Sequence, residues 1–350
     1  MRIGRVELDS PCAVAPMAGL TDSAFRRLVK RQGGCGLVVT EMVSAAGLVR
    51  GLDRTLAYAD YTDEERPIAV QIFGHDPGTM AEAAQVVEAM GADLVDVNMG
   101  CPVPKIARHS AGCSLMREPG HAAAIVAAMS RAVKIPVTVK MRAGWNEMER
   151  NAPTVAAMVE DAGAAAVAVH GRTAAQSYSG AADWDLVARI AGERAIPVFG
   201  SGDCVEPQQV VARLSLGVNG VFVGRGVLRN PWILAQAADL AAGRACRPVS
   251  LEERGRFLLD YIDLLSAERI PEPEKPPHSR PPVSLVRTRS TEPGRSHDRW
   301  VVNKIRALAS WYTKGLEGGS RLRAAINSAE SPAALRELIG GFFFAPASAG

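Results

Sequence analysis

The sequence predicts a TIM-type (β/α)8 barrel followed by a small C-terminal all-α domain. Short apolar runs rich in Val and Ile recur without in/out alternation, as in strands buried on both faces. Segments of helical pattern separate them, and successive runs start about 25–30 residues apart, the length of a βα unit. Eight such units fall within about 230 residues, the count of a closed parallel barrel. No G-x-G-x-x-G follows the first run, which argues against a dinucleotide-binding sheet.

In chain order, strands are expected over 12–16, 37–41, 69–73, 94–98, 137–141, 166–170, 197–200 and 220–224. Helices are expected over 77–90, 121–133, 151–162, 184–191 and 207–216. The first of these opens on Asp76-Pro77, a start signal, and stops at Gly91. The barrel is assigned to 1–243 and the helical domain to 244–350. In the latter, Ser250 followed by Glu252 and Glu253 reads as an N-cap and acidic first turn for a helix to about 268. A Pro- and Arg-rich stretch at about 271–299 reads as irregular, and helices resume over 300–314 and 331–344. Trp311, Tyr312 and Phe342 to Phe344 are read as internal packing of that domain.

Composition is that of a soluble protein, 47% hydrophobic and 22% charged, with no apolar run of membrane-spanning length. Residues 1–10 lack the basic region and apolar core of a secretory signal, so a cytoplasmic location is expected. The six cysteines make no CxxC pair and no zinc-like spacing with histidine, which suits reduced thiols and no metal site. The net charge of +3 divides unevenly. Residues 244–350 hold 17 basic against 12 acidic residues, and 275–323 hold 11 against 3. A basic appendage on a near-neutral body points to a polyanionic partner.

The residues that carry chemistry stand where the barrel strands end. Cys101 lies just past an apolar run, between Gly100 and Pro102, a place hard to explain as core packing. Gln71, Asn98, Lys140, His170 and Arg172 converge on the same rim, with Glu41 and Arg142 at neighbouring strand ends. Ser201-Gly202-Asp203 and Gly224-Arg225-Gly226 follow the seventh and eighth strands, the usual barrel site for a phosphoryl group. Gln71 and Lys140 are the kinds of group that hold a flavin ring. A phosphate site with a lysine equally suits a sugar-phosphate lyase or isomerase that forms a Schiff base on Lys140.

Taken together these segments resemble the tRNA-dihydrouridine synthase family, bacterial B-type branch. The matching stretches are Ala15-Pro16-Met17-Ala18-Gly19-Leu20-Thr21-Asp22, Val70-Gln71-Ile72-Phe73-Gly74 and 96–102. Lys140-Met141-Arg142-Ala143-Gly144-Trp145, His170-Gly171-Arg172-Thr173, Gly202-Asp203 and Gly224-Arg225 continue the match. Trp311-Tyr312-Thr313-Lys314-Gly315 carries it into the appendage. The resemblance implies FMN in the barrel mouth, NADPH as reductant and uridine in tRNA as substrate, in a protein expected to be a monomer. It further implies Cys101 as the general acid that protonates uracil C5. Cofactor contacts are implied for Pro16, Met17, Ala18, Gln71, Lys140, His170, Ser201, Gly202, Asp203, Gly224 and Arg225. Asn98 and Arg172 are the candidates for substrate contact, and the helical domain for gripping tRNA. The chain departs from the family pattern at Ser201, where Asn is usual, over 271–300, and at Arg306-Ala307-Leu308, which replaces an Arg-Lys-His run.

Overall fold

The computed structural model describes residues 1–107, 109–268 and 293–344, which form two compact units, Met1–Pro248 and Val249–Gly350. The first unit opens with a small hairpin, β1 (Arg2–Ile3) and β2 (Val6–Glu7), followed by β3 (Cys12–Val14) and α1 (Ser23–Gln32). Next come β4 (Val38–Val39), β5 (Val43–Ser44), α2 (Ala45–Val49), α3 (Asp53–Ala59), β6 (Ile68–Phe73) and α4 (Pro77–Ala89). The chain continues through β7 (Leu94–Met99), α5 (Pro104–Ala107), α6 (Pro119–Ala132), β8 (Val137–Arg142), α7 (Ala152–Asp161) and β9 (Ala166–His170). It then runs through α8 (Trp184–Glu193), β10 (Val198–Ser201), α9 (Pro207–Leu214), β11 (Gly220–Val223), α10 (Arg225–Arg229) and α11 (Ile233–Ala241).

The larger sheet is parallel, in the order β3-β11-β10-β9-β8-β7-β6-β4, with β5 also on β6. A parallel bridge from Ala13 to Leu37 joins the two ends of that path, so the sheet closes into a barrel. The expected strand at 37–41 is interrupted: β4 and β5 share β6 as partner on either side of a break at Thr40 to Met42. Glu41 in that break accepts the Gly19 N–H at 2.6 Å and so ties two loops of the rim together.

Strand residues alternate between the barrel interior and the surrounding helices. The interior is floored by an apolar cluster: Ile3 and Leu8 from the N-terminal segment, then Ala13, Ala15, Leu37, Val39, Ala69, Leu94, Ala166, Ala168, Phe199 and Phe222. One step further along the same faces, toward the carboxyl ends, the residues turn polar: Gln71, Asp96, Asn98, Thr138, Lys140, His170 and Ser201. Burying a ring of polar groups is tolerated only where they satisfy one another or a ligand. The helices start on ordinary signals. Asp76 accepts the Thr79 N–H ahead of α4, which has Pro77 in its first turn, and Asp183 accepts the Leu186 N–H ahead of α8.

The second unit holds α12 (Leu251–Ala267), α13 (Pro293–Tyr312), α14 (Gly319–Ser328) and α15 (Pro332–Phe343). Ser250 and Glu253 form the reciprocal capping box that starts α12. Phe257, Tyr261 and Leu265 of α12 are buried with Ile305 and Tyr312 of α13, Ile326 of α14 and Ile339 of α15. Tyr312 stacks on Phe257 and donates its hydroxyl to the Arg254 carbonyl at 2.9 Å. Tyr312 and Phe343 are buried as expected, whereas Trp311 and Phe342 are half-buried and Phe344 is exposed. Helix α13 begins at Pro293 rather than near Trp300, so the irregular stretch expected to 299 ends earlier. Proline is well tolerated in a first helical turn, and the apolar spacing of Trp300, Val301, Ile305 and Leu308 propagates the helix from there. The rest of that stretch, to 292, lies outside the described residues.

Candidate active site

The polar layer is built by register. Pairing of β6, β7 and β8 sets Gln71 opposite Asp96, Asp96 opposite Thr138, and Asn98 opposite Lys140. A continuous hydrogen-bond chain results. The Thr138 hydroxyl donates to Asp96 Oδ1 at 2.6 Å, and Gln71 Nε2 donates to Asp96 Oδ2 at 2.7 Å. Asn98 Nδ2 donates to Gln71 Oε1 at 2.7 Å. Asn98 Oδ1 in turn accepts the N–H groups of Gly100 at 3.2 Å and Cys101 at 3.0 Å.

Cys101 therefore sits on a fully held backbone. Besides the two N–H groups on Asn98, the Gly100 carbonyl accepts from Arg142 Nε at 2.7 Å and the Cys101 carbonyl accepts from the Cys113 N–H at 3.1 Å. Arg142 is buried and also donates to the carbonyls of Thr173 and Ser177, so one guanidinium joins the thiol loop to the loop after β9. Gly112 packs under this seat with φ +61°, a conformation that suits glycine. Burial pushes the Cys101 thiol above its ordinary value, against the opposing Val103 N–H and Arg142. It is a protonated thiol at neutral pH, able to give a proton.

Lys140 is pushed down to about 8, first by burial and then by Arg142, with the Asp96 carboxylate opposing. It remains mostly protonated at neutral pH. Its ammonium lies 6.0 Å from the centroid of Phe222. Asp96 itself is raised by burial, against hydrogen bonds from Thr138 and Gln71 and the charge of Lys140. His170 is driven far down by burial and by Lys140, Arg142, Arg172 and Arg225, so its ring is neutral.

Across the mouth, Asp203 accepts both from Arg172 Nη2, at 2.7 and 2.9 Å, and from the Ala182 N–H at 2.7 Å. Arg225 stands 3.8 Å from the same carboxylate. Burial pushes Asp203 up, but the Ala182 N–H and the two guanidinium groups hold it below the usual carboxylate value. Arg172 Nη1 is buried without a hydrogen-bond partner. Gly202 has φ +122°, and a Cβ there would stand 2.6 Å from Ala182 Cβ and 3.1 Å from His170 Cδ2. The exposed Tyr178 ring lies between Arg142 and Arg225, at 5.9 and 5.0 Å from their guanidinium carbons.

The structure thus gathers Gln71, Asn98, Lys140, His170 and Ser201 on one inner layer, with Cys101 on the loop above Asn98. Pro16, Met17 and Ala18 line the loop after β3, where Met17 N–H is held by Thr21 Oγ1 at 2.9 Å. Asn98 and Arg172, the candidates for substrate contact, are both engaged within the protein: Asn98 with Gln71 and the thiol loop, Arg172 with Asp203 and the carbonyls of Ser179 and Gly180. Sequence reasoning passed over Asp96 and Thr138 as site residues, and placed Arg142 at a strand end without a role. A signal was present: Asp96 and Asn98, two apart in an otherwise apolar strand, must share its inner face, as must Thr138, Lys140 and Arg142.

A closed parallel barrel with a buried cation and a protonated thiol at the carboxyl ends of its strands is an enzyme scaffold with its working groups in the usual place. Residues 13–269 match the family model described as dihydrouridine synthase (Dus), and the chain belongs to that family. It is 35% identical to a probable tRNA-dihydrouridine synthase of Rickettsia bellii, over 98% of each chain. It is 37% identical to a tRNA-dihydrouridine synthase B of Xanthomonas campestris, over 98% of this chain and 96% of that one. A probable tRNA-dihydrouridine synthase of Rhodobacter capsulatus is 43% identical over 69% of this chain and 74% of its own.

Proposed function

We propose that this chain reduces uridine in tRNA to 5,6-dihydrouridine, with FMN held in the barrel mouth and NADPH as the electron donor. Family membership supports the reaction, and the names of the relatives attach it to tRNA. The donor set suits FMN. The carboxylate acting on the buried Lys140 is Asp96, already bonded to Gln71 and Thr138, so the ammonium is left to neutralise a further electron-rich group beside it. The orphaned Nη1 of Arg172 and the guanidinium of Arg225 lie beside the Gly202 and Gly224 turns, a set suited to a phosphoryl group.

When bound, FMN would supply hydride transfer from NADPH to C6 of the uracil. Pro16, Met17 and Ala18 would line it. Gln71 would hold its polar edge with the N–H and lone pair left over from the Asp96 and Asn98 bonds. Lys140 would bind beside the pyrimidine side, and the neutral His170 would offer one hydrogen bond without adding charge. Ser201, Gly202 and Asp203 would hold the ribityl chain, and Gly224 and Arg225 the phosphate. Cys101 would give its proton to C5, and the burial that keeps its thiol protonated is the observation that carries this role. Asn98 would orient the Cys101 loop. The basic balance of 244–350 suits contacts with the tRNA backbone.

The purified chain should show the visible bands of oxidised flavin, bleach with NADPH, and recover its colour on anaerobic addition of unmodified tRNA. A colourless protein that borohydride couples to a sugar phosphate through Lys140 would support a Schiff-base lyase instead. Membership of the dihydrouridine synthase family argues against that outcome.

A further inference from the structure

We propose that the backbone N–H groups of Gly100 and Cys101 set, through Asn98, which way round the Gln71 amide faces, with Asn98 and Asp96 as the positioning residues on either side of it. The argument is one of donor–acceptor polarity. A backbone N–H can only donate. The two N–H groups therefore require Asn98 to turn Oδ1 toward them, which turns its Nδ2 toward Gln71 Oε1, at 2.7 Å. Gln71 must then present Nε2 to Asp96, which accepts it at 2.7 Å. Reversing any one amide would place donor against donor or acceptor against acceptor inside a buried layer. None of the polar side-chain atoms of Gln71, Asp96, Asn98 or Thr138 is among the buried atoms without a partner, so the chain is satisfied in this one direction. Burial raises Asp96, and a carboxyl oxygen can accept from Gln71 Nε2 in either protonation state. The cofactor side of this inference rests on the FMN reading of Gln71, and the thiol side does not.

Three near-isosteric variants separate orientation from mere packing. Asp96→Asn keeps the direction, because its oxygen can still face Gln71 while its amide donates to the Thr138 hydroxyl, which accepts as well as donates. The alkylation rate of Cys101 by iodoacetamide should stay within about threefold of the native protein. Asn98→Asp sets two carboxylates against the one Gln71 amide, and should lower thermal stability, weaken FMN about 10- to 100-fold, and change the Cys101 alkylation rate. The double variant Asp96→Asn with Asn98→Asp reverses the whole chain. Asp at 98 still accepts from Gly100 and Cys101, so stability and thiol alkylation should return. The Gln71 amide is now turned over, so FMN affinity should stay at least about tenfold weak. Binding is read by quenching of FMN fluorescence, alkylation by peptide mass at Cys101. A double variant with native FMN affinity, or an Asn98→Asp protein indistinguishable from the native one, would overturn the inference. If the native chain takes up no FMN, the cofactor reading fails, and loss followed by recovery of the native Cys101 alkylation rate still decides the role of Asn98 and the amide order.

Discussion

Gly112→Ala should disable proton delivery while leaving the cofactor side untouched. A Cβ at this position would lie 2.8 Å from the Cys101 carbonyl oxygen, 3.0 Å from Ile106 Cγ2 and 3.3 Å from Cys101 Cβ. Non-bonded carbons rest at about 3.5–4.0 Å, so the Cys101 seat must yield by roughly half an ångström. The residue also has φ +61°, where an L side chain costs about 1–2 kcal/mol. Overpacking adds about 1–3 kcal/mol. A combined loss of about 2–5 kcal/mol in a barrel of this size lowers Tm by roughly 4–20 °C. Displacing an acid by a fraction of an ångström to one ångström costs about 10- to 100-fold in rate. The assay is single-turnover oxidation of the NADPH-reduced protein by tRNA, with the NADPH half-reaction measured separately. The tRNA half-reaction should slow by that factor and the NADPH half-reaction should not change. A variant with native Tm and a native tRNA half-reaction would refute the claim that this glycine sets the Cys101 seat.

Cys101→Ala should retain FMN and its reduction by NADPH but lose about 10²–10⁴-fold in dihydrouridine formation, read by single-turnover kinetics. Lys140→Met should weaken FMN retention, and in the native protein FMN affinity should fall as pH rises through about 8, where Lys140 loses its proton. The same shift sets a stability dependence: the folded value lies below the usual lysine value, so the unfolded chain binds more protons between about 8 and 10.5. Apo-protein stability due to Lys140 is therefore lowest below about pH 8 and is recovered toward pH 10.5. The Tm advantage of Lys140→Met should shrink over that window, as thermal melts at stepped pH would show. A truncated chain ending at Pro248 should keep FMN yet lose most tRNA affinity and its salt dependence, measured by titrating labelled tRNA at several salt concentrations.

The barrel was legible because both faces of its strands are buried. Runs such as Ile68 to Phe73 and Leu94 to Met99 are buried almost throughout, and their few polar residues, Gln71, Asp96 and Asn98, stand past their apolar starts. The polar inner layer was partly legible, since a Gln, Lys or His near the end of such a run has nowhere to go but the mouth. What escaped was non-local. Helix α1 is absent from the expected helices; its Phe25, Leu28 and Val29 are interleaved with Arg26, Arg27, Lys30 and Arg31. Arg26 is buried, bonded to Glu65 and to the carbonyls of Thr21 and Asp60. The β1–β2 hairpin has strands of two residues each, too short to carry a period, though its Ile3 helps floor the barrel. The relay from Thr138 to Cys101 joins three strands, and only their register brings it together.

The central claim is that this barrel delivers a hydride and a proton to uridine in tRNA. Its most direct test is nucleoside mass analysis of unmodified tRNA after incubation with the FMN-loaded protein, with and without NADPH. The account predicts a nucleoside heavier than uridine by two hydrogens that appears only with NADPH and is nearly abolished by Cys101→Ala. A protein whose flavin NADPH reduces, yet which leaves every uridine unchanged, would contradict it.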